Sequence, residues 1–200
     1  GLGFKVAVFP FHMWTPDVYQ GAPTPITAFM SVGSKVAGFV AIVSILQVLG
    51  NELMVLRPIL IGVSIATMAI GSIVAISQTS IKRMLAYSSI SHAGFMLVGL
   101  EAAGRVGTSS ANDGVSSALV YVVLYSVLAI GSFAAVSVVS GGGADGSSGN
   151  TLTSLDAFNG VAKTNPVFAL GFTVLLLAQA GVPLTSGFVA KFGVIRAAVS

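Results

Sequence analysis

Long apolar segments alternate with short polar ones along most of the chain. Apolar segments cover residues 1–11, 25–50, 58–78, 81–100, 115–140, 166–181 and 186–199. A helix needs about 20 consecutive apolar residues to cross the hydrocarbon core of a bilayer, and most of these segments approach that length. None alternates with a period of two, which disfavours strands and a transmembrane β-barrel. The pattern predicts an all-α, polytopic transmembrane helical bundle.

Composition supports a membrane protein, because 54% of the residues are hydrophobic and only 8% are charged. Soluble domains carry about 25% charged residues. The chain has no cysteine, which excludes thiolate metal sites, iron–sulfur clusters and disulfides. Its two histidines have no carboxylate at ligand spacing, so we predict no metal and no cofactor in this chain. Basic residues cluster only at Lys82-Arg83, so we predict no nucleic-acid partner.

The segments are expected to form one transmembrane domain over residues 1–200. Residues 141–150 (GGGADGSSGN) have the composition of a flexible polar loop. The sequence begins and ends inside apolar runs, which suggests a piece of a longer chain.

Prolines and basic residues indicate where helices start and how they are oriented. Pro25, Pro58 and Pro166 each fit the first turn of a helix, where a missing N–H is tolerated. Thr24 and Asn165 precede two of them and are candidate N-caps. Lys82, Arg83 and Lys163 fall at one side of the predicted bundle, against Arg57 and Arg105 at the other. The positive-inside rule then places the Lys82-Arg83 loop in the cytoplasm.

Lys35 and Lys191 lie within apolar segments, where a charge is costly. Insertion scales put that cost at about 2.5–3.5 kcal/mol near the centre of a membrane helix. Such residues usually mark an ion or proton path. A low dielectric favours the neutral form of a lysine, which can then load and release a proton, whereas an arginine cannot. We therefore expect proton or ion movement.

Other polar residues recur at helical spacing. Ser31 shares a helix face with Lys35, and Ser88 shares one with His92. On a third predicted helix, Tyr121 and Tyr125 share a face with each other. These stripes could line a water-filled path. Alternatives remain open: the serines could serve packing or bond to their own helix, and the tyrosines could anchor at the membrane interface. His92 could simply bridge two helices.

Proline interrupts two of the apolar segments, at Pro10 and at Pro183. Proline removes a backbone hydrogen bond, and glycines lie on both sides of Pro183. Broken helices in transporters expose backbone groups to the transport path, which makes Thr185 a candidate lining residue. An ordinary proline kink is the alternative.

Three stretches of the sequence resemble the antiporter-like membrane subunits of respiratory complex I. They are PFHMWTPDVYQGAPTPITAFMSVGSK (10–35), SQTSIKRMLAYSSISHAGF (77–95) and AGVPLTSGFVAKF (180–192). The resemblance is ordered and covers nearly the whole chain, with its weakest parts at 101–112 and 141–150.

This resemblance implies an inverted-repeat fold of fourteen helices, of which the chain would hold helices seven to twelve. Lys5 would be the lysine of the broken seventh helix, Lys35 that of the eighth, and Lys191 that of the broken twelfth. His92 would lie on the central hydrophilic axis. The family pairs the seventh-helix lysine with a glutamate on its fifth helix, which lies outside this sequence.

The resemblance also implies a function. Protons would pass along Lys5, Lys35, His92 and Lys191 in a NADH–quinone oxidoreductase of the bacterial inner membrane. Other subunits would handle NADH and quinone, so the partners would be the other membrane subunits and the lipid bilayer. Two rival functions remain: a subunit of a multisubunit sodium/proton antiporter, and a non-conducting membrane scaffold.

Overall fold

The computed structural model describes residues 1–49, 53–103, 109–140 and 153–199. The predicted polar loop at 141–150 lies outside these ranges. The described residues form nine α-helices and one short 3₁₀ helix, Leu155–Phe158. The α-helices are α1 (Leu2–Val6), α2 (Trp14–Gly21), α3 (Thr24–Leu49), α4 (Leu53–Ile76), α5 (Ile81–Ala103), α6 (Ser109–Val139), α7 (Val161–Thr164), α8 (Pro166–Ala180) and α9 (Ser186–Val199).

The bundle is built on long apolar helices, as the hydrophobic pattern predicts. By length and composition, α3, α4 and α6 contain segments able to cross a membrane: Thr24–Leu46, Leu56–Ile76 and Asp113–Val139. The described ranges contain no β-strand beyond an isolated bridge between Ser80 and Ser154. The all-α, polytopic bundle predicted from the sequence is therefore confirmed.

Helix α5 forms the centre of the bundle and lies between α4 and α6. Small residues let the backbones approach closely at these contacts, as in other membrane helix pairs. A Cβ atom added at Gly71 of α4 would lie 2.6 Å from the backbone nitrogen of Ser91. A Cβ at Gly114 of α6 would lie 2.5 Å from the backbone nitrogen of Ala103. Both contacts pair neighbouring helices in antiparallel fashion, so α4 and α6 run opposite to α5.

Two breaks interrupt the helices where the prolines predict them. Helix α1 ends before Ala7, which has a φ of 61°, and the chain stays non-helical past Pro10 until α2 begins. Helix α8 ends at Ala180, the next residue Gly181 has a φ of 83°, and α9 begins after Pro183. The left-handed conformation at Gly181 is one that glycine adopts without a steric penalty. Each pair of short helices therefore forms one discontinuous segment.

Pro25 and Pro166 lie in the first turns of α3 and α8 as predicted, whereas the predictions for Pro58 and for the Thr24 cap are wrong. Helix α4 begins at Leu53, so Pro58 lies inside it instead of in its first turn. The apolar residues before Pro58 extend the helix backwards, and membrane helices tolerate an internal proline. Thr24 is already part of α3 and does not precede it. Asn165 does cap α8, because its Oδ1 accepts a hydrogen bond of 3.2 Å from the backbone nitrogen of Phe168.

Lys82 and Arg83 belong to the first turn of α5 and not to a loop, which corrects the prediction from loop charges. Lys82 is buried, and its Nζ donates to the carbonyl oxygen of Ala22 at 3.0 Å. Arg83 donates to Asp17 at 2.7 Å and to Gln20 at 3.0 Å. Both residues thus join the start of α5 to the end of α2. We call this end of the bundle the Lys82 end.

The opposite end is fixed by a second ion pair. Arg57 of α4 donates through its Nε to the buried carboxylate of Glu101 in α5. Helix α5 ends and α6 begins here, and we call it the Glu101 end. Within the described residues, the two ion pairs therefore lie at opposite ends of the bundle. Lys35 and Lys191 lie between these ends.

Candidate functional site

Lys35 lies in the middle of the bundle and is only 1% exposed. Its Nζ donates to the carbonyl oxygen of Ser89 and, at 2.7 Å, to the Oγ of the same residue. The ammonium group also lies 5.3 Å from the ring centroid of Tyr125, in cation–π geometry. Helix α3 supplies the lysine, α5 the serine and α6 the ring. Three helices therefore enclose this amine with neutral oxygens and an aromatic face.

The other polar residues on the Lys35 face of α3 bond to backbone carbonyls. Ser31 is fully buried, and its hydroxyl donates to the carbonyl of Ala28 at 2.8 Å. Thr27 donates to the carbonyl of Tyr19 at 3.1 Å, across the junction with α2. For Ser31 the geometry matches the packing alternative that the sequence left open. Lys35 is thus the group on this face whose polar contacts reach α5.

His92 connects α5 to α6. Its Nδ1 lies 2.7 Å from the hydroxyl oxygen of Tyr121, and its ring centroid lies 5.0 Å from that of Tyr125. The imidazole is 6% exposed. Tyr121 and Tyr125 are both buried, which excludes an anchoring role at the surface of the described bundle. The stripe predicted on α6 therefore faces the histidine and Lys35.

Lys191 reaches the backbone that the second break leaves free. Its Nζ donates to the carbonyl oxygen of Ala180 at 2.9 Å, at the last residue of α8. The same ammonium lies 5.0 Å from the ring centroid of Phe95. A helix that ends leaves carbonyl groups without intrahelical partners, and these attract cations. The break thus supplies the oxygen that holds Lys191.

A cavity of about 450 Å³ brings several predicted residues together. It lies between the end of α4, the start of α5, and the two halves of the broken α8–α9 segment. The polar side chains that line it are those of Ser72, Ser88, Ser91, His92, Gln179 and Lys191. Residues at the end of α4 and at the start of α5 also line it, so it extends toward the Lys82 end. Lys35 does not line this cavity.

Lys5 and Thr185 are placed differently from the other predicted residues. The side chain of Lys5 is exposed and makes no hydrogen bond within the described ranges. Pro10 is likewise exposed. The hydroxyl of Thr185 donates to the carbonyl of Val182 at 2.6 Å and accepts from the backbone nitrogen of Phe188 at 3.4 Å. Thr185 therefore caps α9, and it does not line the cavity.

Three residues of the site were missed from the sequence. Ser89 is the partner of Lys35, although the stripe singled out its neighbour Ser88. Gln179 donates to the carbonyl of Leu128 at 3.2 Å and to the hydroxyl of Ser132 at 2.6 Å, which ties the second break to α6. His12 is buried beside the first break, and its Nδ1 has no hydrogen-bond partner among the described residues. The position of His12 and Gln179 next to the prolines was the available signal.

The electrostatics of the site are those of isolated cations among neutral oxygens. The ion pairs of the described residues, Arg57–Glu101 and Arg83–Asp17, lie away from it at the two ends. Within the described ranges, no three His, Cys, Asp or Glu side chains are grouped so that they could hold a metal ion. A buried amine with neutral partners can exchange a proton without breaking an ion pair. This arrangement fits a proton relay.

Comparison with known proteins adds the family. The model of the family described as NADH:quinone oxidoreductase/Mrp antiporter, transmembrane, matches residues 1–200. The chain belongs to this family. It is 50% identical over 199 residues to NADH-quinone oxidoreductase subunit N 3 of Streptomyces griseus, covering 99% of this chain and 34% of that protein. It is 47% identical over 201 residues to subunit N of Mycobacterium tuberculosis, covering 36% of it. The chain thus spans about a third of the length of these relatives.

Solved structures of this antiporter-like family share the fold. A chain of the membrane-bound sulfane sulfur reductase, an archaeal respiratory complex, matches with a TM-score of 0.84 and 31% identity over 98% of this chain and 38% of its own. A chain of respiratory complex I from Thermus thermophilus matches with a TM-score of 0.76 and 34% identity, over 100% of this chain and 40% of its own. A chain of the Mrp complex from Dietzia sp. matches with a TM-score of 0.82 and 25% identity, over 99% of this chain and 34% of its own. Our chain is therefore a multi-pass membrane protein with an antiporter-like fold.

Proposed function

We propose that this chain is part of subunit N of a bacterial NADH–quinone oxidoreductase and that it translocates protons. Two relatives named subunit N, at 50% and 47% identity, support this subunit over its antiporter-like sisters. The redox reaction would take place in other subunits, which would bind NADH and quinone. The partners of this chain would be the other membrane subunits of complex I and the surrounding lipid.

The observation that carries the proposal is the burial of Lys35. A lysine at 1% exposure, held by Ser89 and an aromatic face, is costly to keep in the middle of a membrane bundle. A scaffold has no need for such a residue, whereas a proton path does. Protons would pass from Lys5 to Lys35 and then by way of His92 to Lys191.

We further propose that the protein lies in the bacterial inner membrane with its Lys82 end toward the cytoplasm. Lys82, Arg83 and the exposed Lys163 support this orientation, against Arg57 at the other end and Arg105, which lies outside the described residues.

A second candidate is a subunit of a multisubunit sodium/proton antiporter. The TM-score of 0.82 with a chain of the Mrp complex favours it as the main alternative. Such a protein would have no redox partners. Purification of the full-length protein under mild conditions therefore separates the two candidates, since only the first would bring NADH dehydrogenase activity with it.

The function is tested by Lys35→Ala in the full-length protein. Proton pumping and NADH–quinone turnover are measured in inverted membrane vesicles, with Lys163→Ala as the matched control because that lysine is exposed. If the complex assembles and both activities fall together only in Lys35→Ala, the proposal is supported. Normal pumping in an assembled Lys35→Ala complex would contradict it and would favour the scaffold.

A further inference from the structure

Tyr19 is a buried tyrosine whose hydroxyl plays no part in the proton path described so far. It belongs to α2, the second half of the first broken segment, and its side chain is only 1% exposed. Its ring packs edge-on against that of Phe133 in α6, with a centroid distance of 5.9 Å and an interplanar angle of 77°. Its backbone carbonyl accepts the hydrogen bond from Thr27 that joins α2 to α3. Packing and backbone contacts therefore hold this residue without using its hydroxyl.

The hydroxyl of Tyr19 has no hydrogen-bond partner among the described residues, although it is buried. A buried hydroxyl without a partner costs free energy that a phenylalanine at the same position would avoid. The contact with Phe133 alone thus does not explain why this position carries a tyrosine. An unpaired buried group calls for a specific explanation, and one explanation is a partner that it gains in another state of the protein.

The neighbour that can become this partner is Ser89. The Tyr19 hydroxyl lies beside the Ser89 side chain, and the hydroxyl of Tyr125 approaches Ser89 as well. Ser89 holds the ammonium of Lys35 through its carbonyl oxygen and, at 2.7 Å, through its Oγ. The ring of Tyr125 already faces Lys35 and His92. Ser89 therefore lies between the amine on α3 and the unpaired phenol on α2.

The direction of the hydrogen bonds through Ser89 depends on the charge of Lys35. A charged lysine has three N–H donors and no acceptor, so the Ser89 oxygen accepts from it and the Ser89 O–H must donate elsewhere. A neutral amine has a free lone pair that accepts the Ser89 O–H, and the Ser89 oxygen is then open to another donor. A phenol serves in both cases, because its hydroxyl can donate and accept.

We propose that Tyr19 is a positioning residue for Lys35 and that its hydrogen bond with Ser89 reverses direction whenever Lys35 gains or loses a proton. Ser89 donates to Tyr19 while the amine is charged, and Tyr19 donates to Ser89 while it is neutral. Each hydroxyl keeps its own proton and only turns about its C–O bond. The inference rests on the proposed proton-translocating function and adds a residue of the first broken segment that stabilises Lys35 in both charge states.

The titratable groups around the contact between Lys35 and Ser89 come from three helices. They are Tyr19 on α2, Tyr125 on α6 and His92 on α5, and Lys191 of α9 acts on His92 from its other side. Within the described ranges, no carboxylate pairs with Lys35, since both ion pairs lie at the ends of the bundle. The charged amine therefore depends on neutral oxygens, and the loss of one hydroxyl should be measurable.

Tyr19→Phe tests the hydroxyl directly, because the ring can still pack against Phe133. The change leaves the Ser89 O–H without this acceptor while Lys35 is charged. Hydrogen bonds to a charged group are stronger than neutral ones, so the charged form loses more than the neutral form and Lys35 releases its proton at lower pH. We expect the alkaline limb of the pH profile of pumping in vesicles to move down by roughly half to one pH unit, as the loss of one hydrogen bond would produce.

Tyr87→Phe is the matched control, since Tyr87 lies on the same helix as Ser89, is only partly buried and forms no hydrogen bond with Ser89. Both variants should assemble and melt like the wild type. An unchanged pH profile in Tyr19→Phe would overturn the inference. Loss of assembly would overturn it too, because the hydroxyl would then serve the structure. Normal pumping by Lys35→Ala is a different result, which would contradict the proposed function itself.

A double-mutant cycle shows whether Tyr19 acts through Ser89. The pH profile is measured for Tyr19→Phe, for Ser89→Ala and for the two changes combined. Without the Ser89 hydroxyl, Tyr19 has no route to Lys35, so we expect the combined variant to show the same shift as Ser89→Ala alone. Shifts that add would overturn the inference, because Tyr19 would then act independently of Ser89.

Discussion

The two buried-lysine regions of this bundle hold their amines in different ways. Lys35 is enclosed by three continuous helices, and its oxygens come from Ser89 on a neighbouring helix. Lys191 is only partly buried, and its oxygen comes from a carbonyl that the break after Ala180 leaves free. Each ammonium also meets an aromatic face, that of Tyr125 for the first and Phe95 for the second.

The difference indicates a division of roles. A lysine enclosed by tight packing has one stable position and is suited to pass a proton between fixed neighbours. Lys191, held at a helix break, instead lines the cavity that contains His92. Irregular backbone in a membrane is tolerated where it lines a cavity, as it does here. The following substitutions test this comparison, from the largest expected effect to the smallest.

Gly187→Ala should damage the Lys191 region most. A Cβ there would lie 1.7 Å from the carbonyl oxygen of Ala178, so α8 and α9 would have to separate. We expect a loss of about 3 kcal/mol or more in stability, since backbone cannot yield as a side chain can. Thermal unfolding of the purified complex measures it. Gly171→Ala is the control, because a Cβ there meets nothing within 4 Å; equal melting temperatures for the two variants would contradict this account of the break.

Ser89→Ala should weaken the Lys35 region without disturbing the break. It removes one of the two oxygens that hold the ammonium, and a hydrogen bond to a charged group contributes roughly 1.5–3 kcal/mol. We expect reduced pumping in vesicles with normal assembly. Ser88→Ala, one residue away, serves as a comparison because Ser88 does not contact Lys35. Pumping that falls more in Ser88→Ala than in Ser89→Ala would show that the cavity beside His92 matters more than the Lys35 contact.

Gln179→Met should loosen the second break from α6. The variant keeps the size of the side chain but removes the donors to Leu128 and Ser132, at about 1 kcal/mol for each lost hydrogen bond. We expect slower pumping with little change in the Lys35 region. Hydrogen exchange of the α8–α9 junction provides the measurement. Unchanged exchange at the junction would mean that Gln179 does not hold the break in place.

Thr185→Ala should have the smallest effect. Thr185 caps α9 through the backbone nitrogen of Phe188, and loss of such a cap costs typically about 1 kcal/mol. Thr185→Ser keeps the hydroxyl and should restore both stability and pumping. If Thr185→Ala abolished pumping while the melting temperature stayed unchanged, the residue would line the path, as the sequence first suggested.

Hydrophobic patterning predicted the helices because membrane spans must satisfy their own backbone, which leaves few alternatives. Lys35 and Lys191 could be singled out from the sequence because a charge within an apolar segment is costly. The start of α4 was not predicted, because Pro58 fits both a first turn and the interior of a membrane helix. The residues around Lys82 look like a charged loop in the sequence, and only packing against α2 shows that the side chain is buried.

Partners of the buried groups could not be predicted from one-dimensional spacing. Ser88 and Ser89 are neighbours in sequence but point about 100° apart around a helix, so the choice between them depends on where α3 lies. The tie between Gln179 and α6 likewise depends on how α8 packs. The position of Lys5 on the surface of the described residues was also not foreseen, whereas the polar stripes of His92 on α5 and of Tyr121 on α6 were.

The central claim is that Lys35 passes protons, and Lys35→Arg tests it most directly. Arginine keeps the positive charge but stays protonated in proteins, so it can hold the site without relaying a proton. Pumping and NADH–quinone turnover are compared in vesicles that contain equal amounts of assembled complex. We predict that pumping is lost in Lys35→Arg as fully as in Lys35→Ala. Normal pumping by the arginine variant would contradict the account, because a fixed charge would then be sufficient.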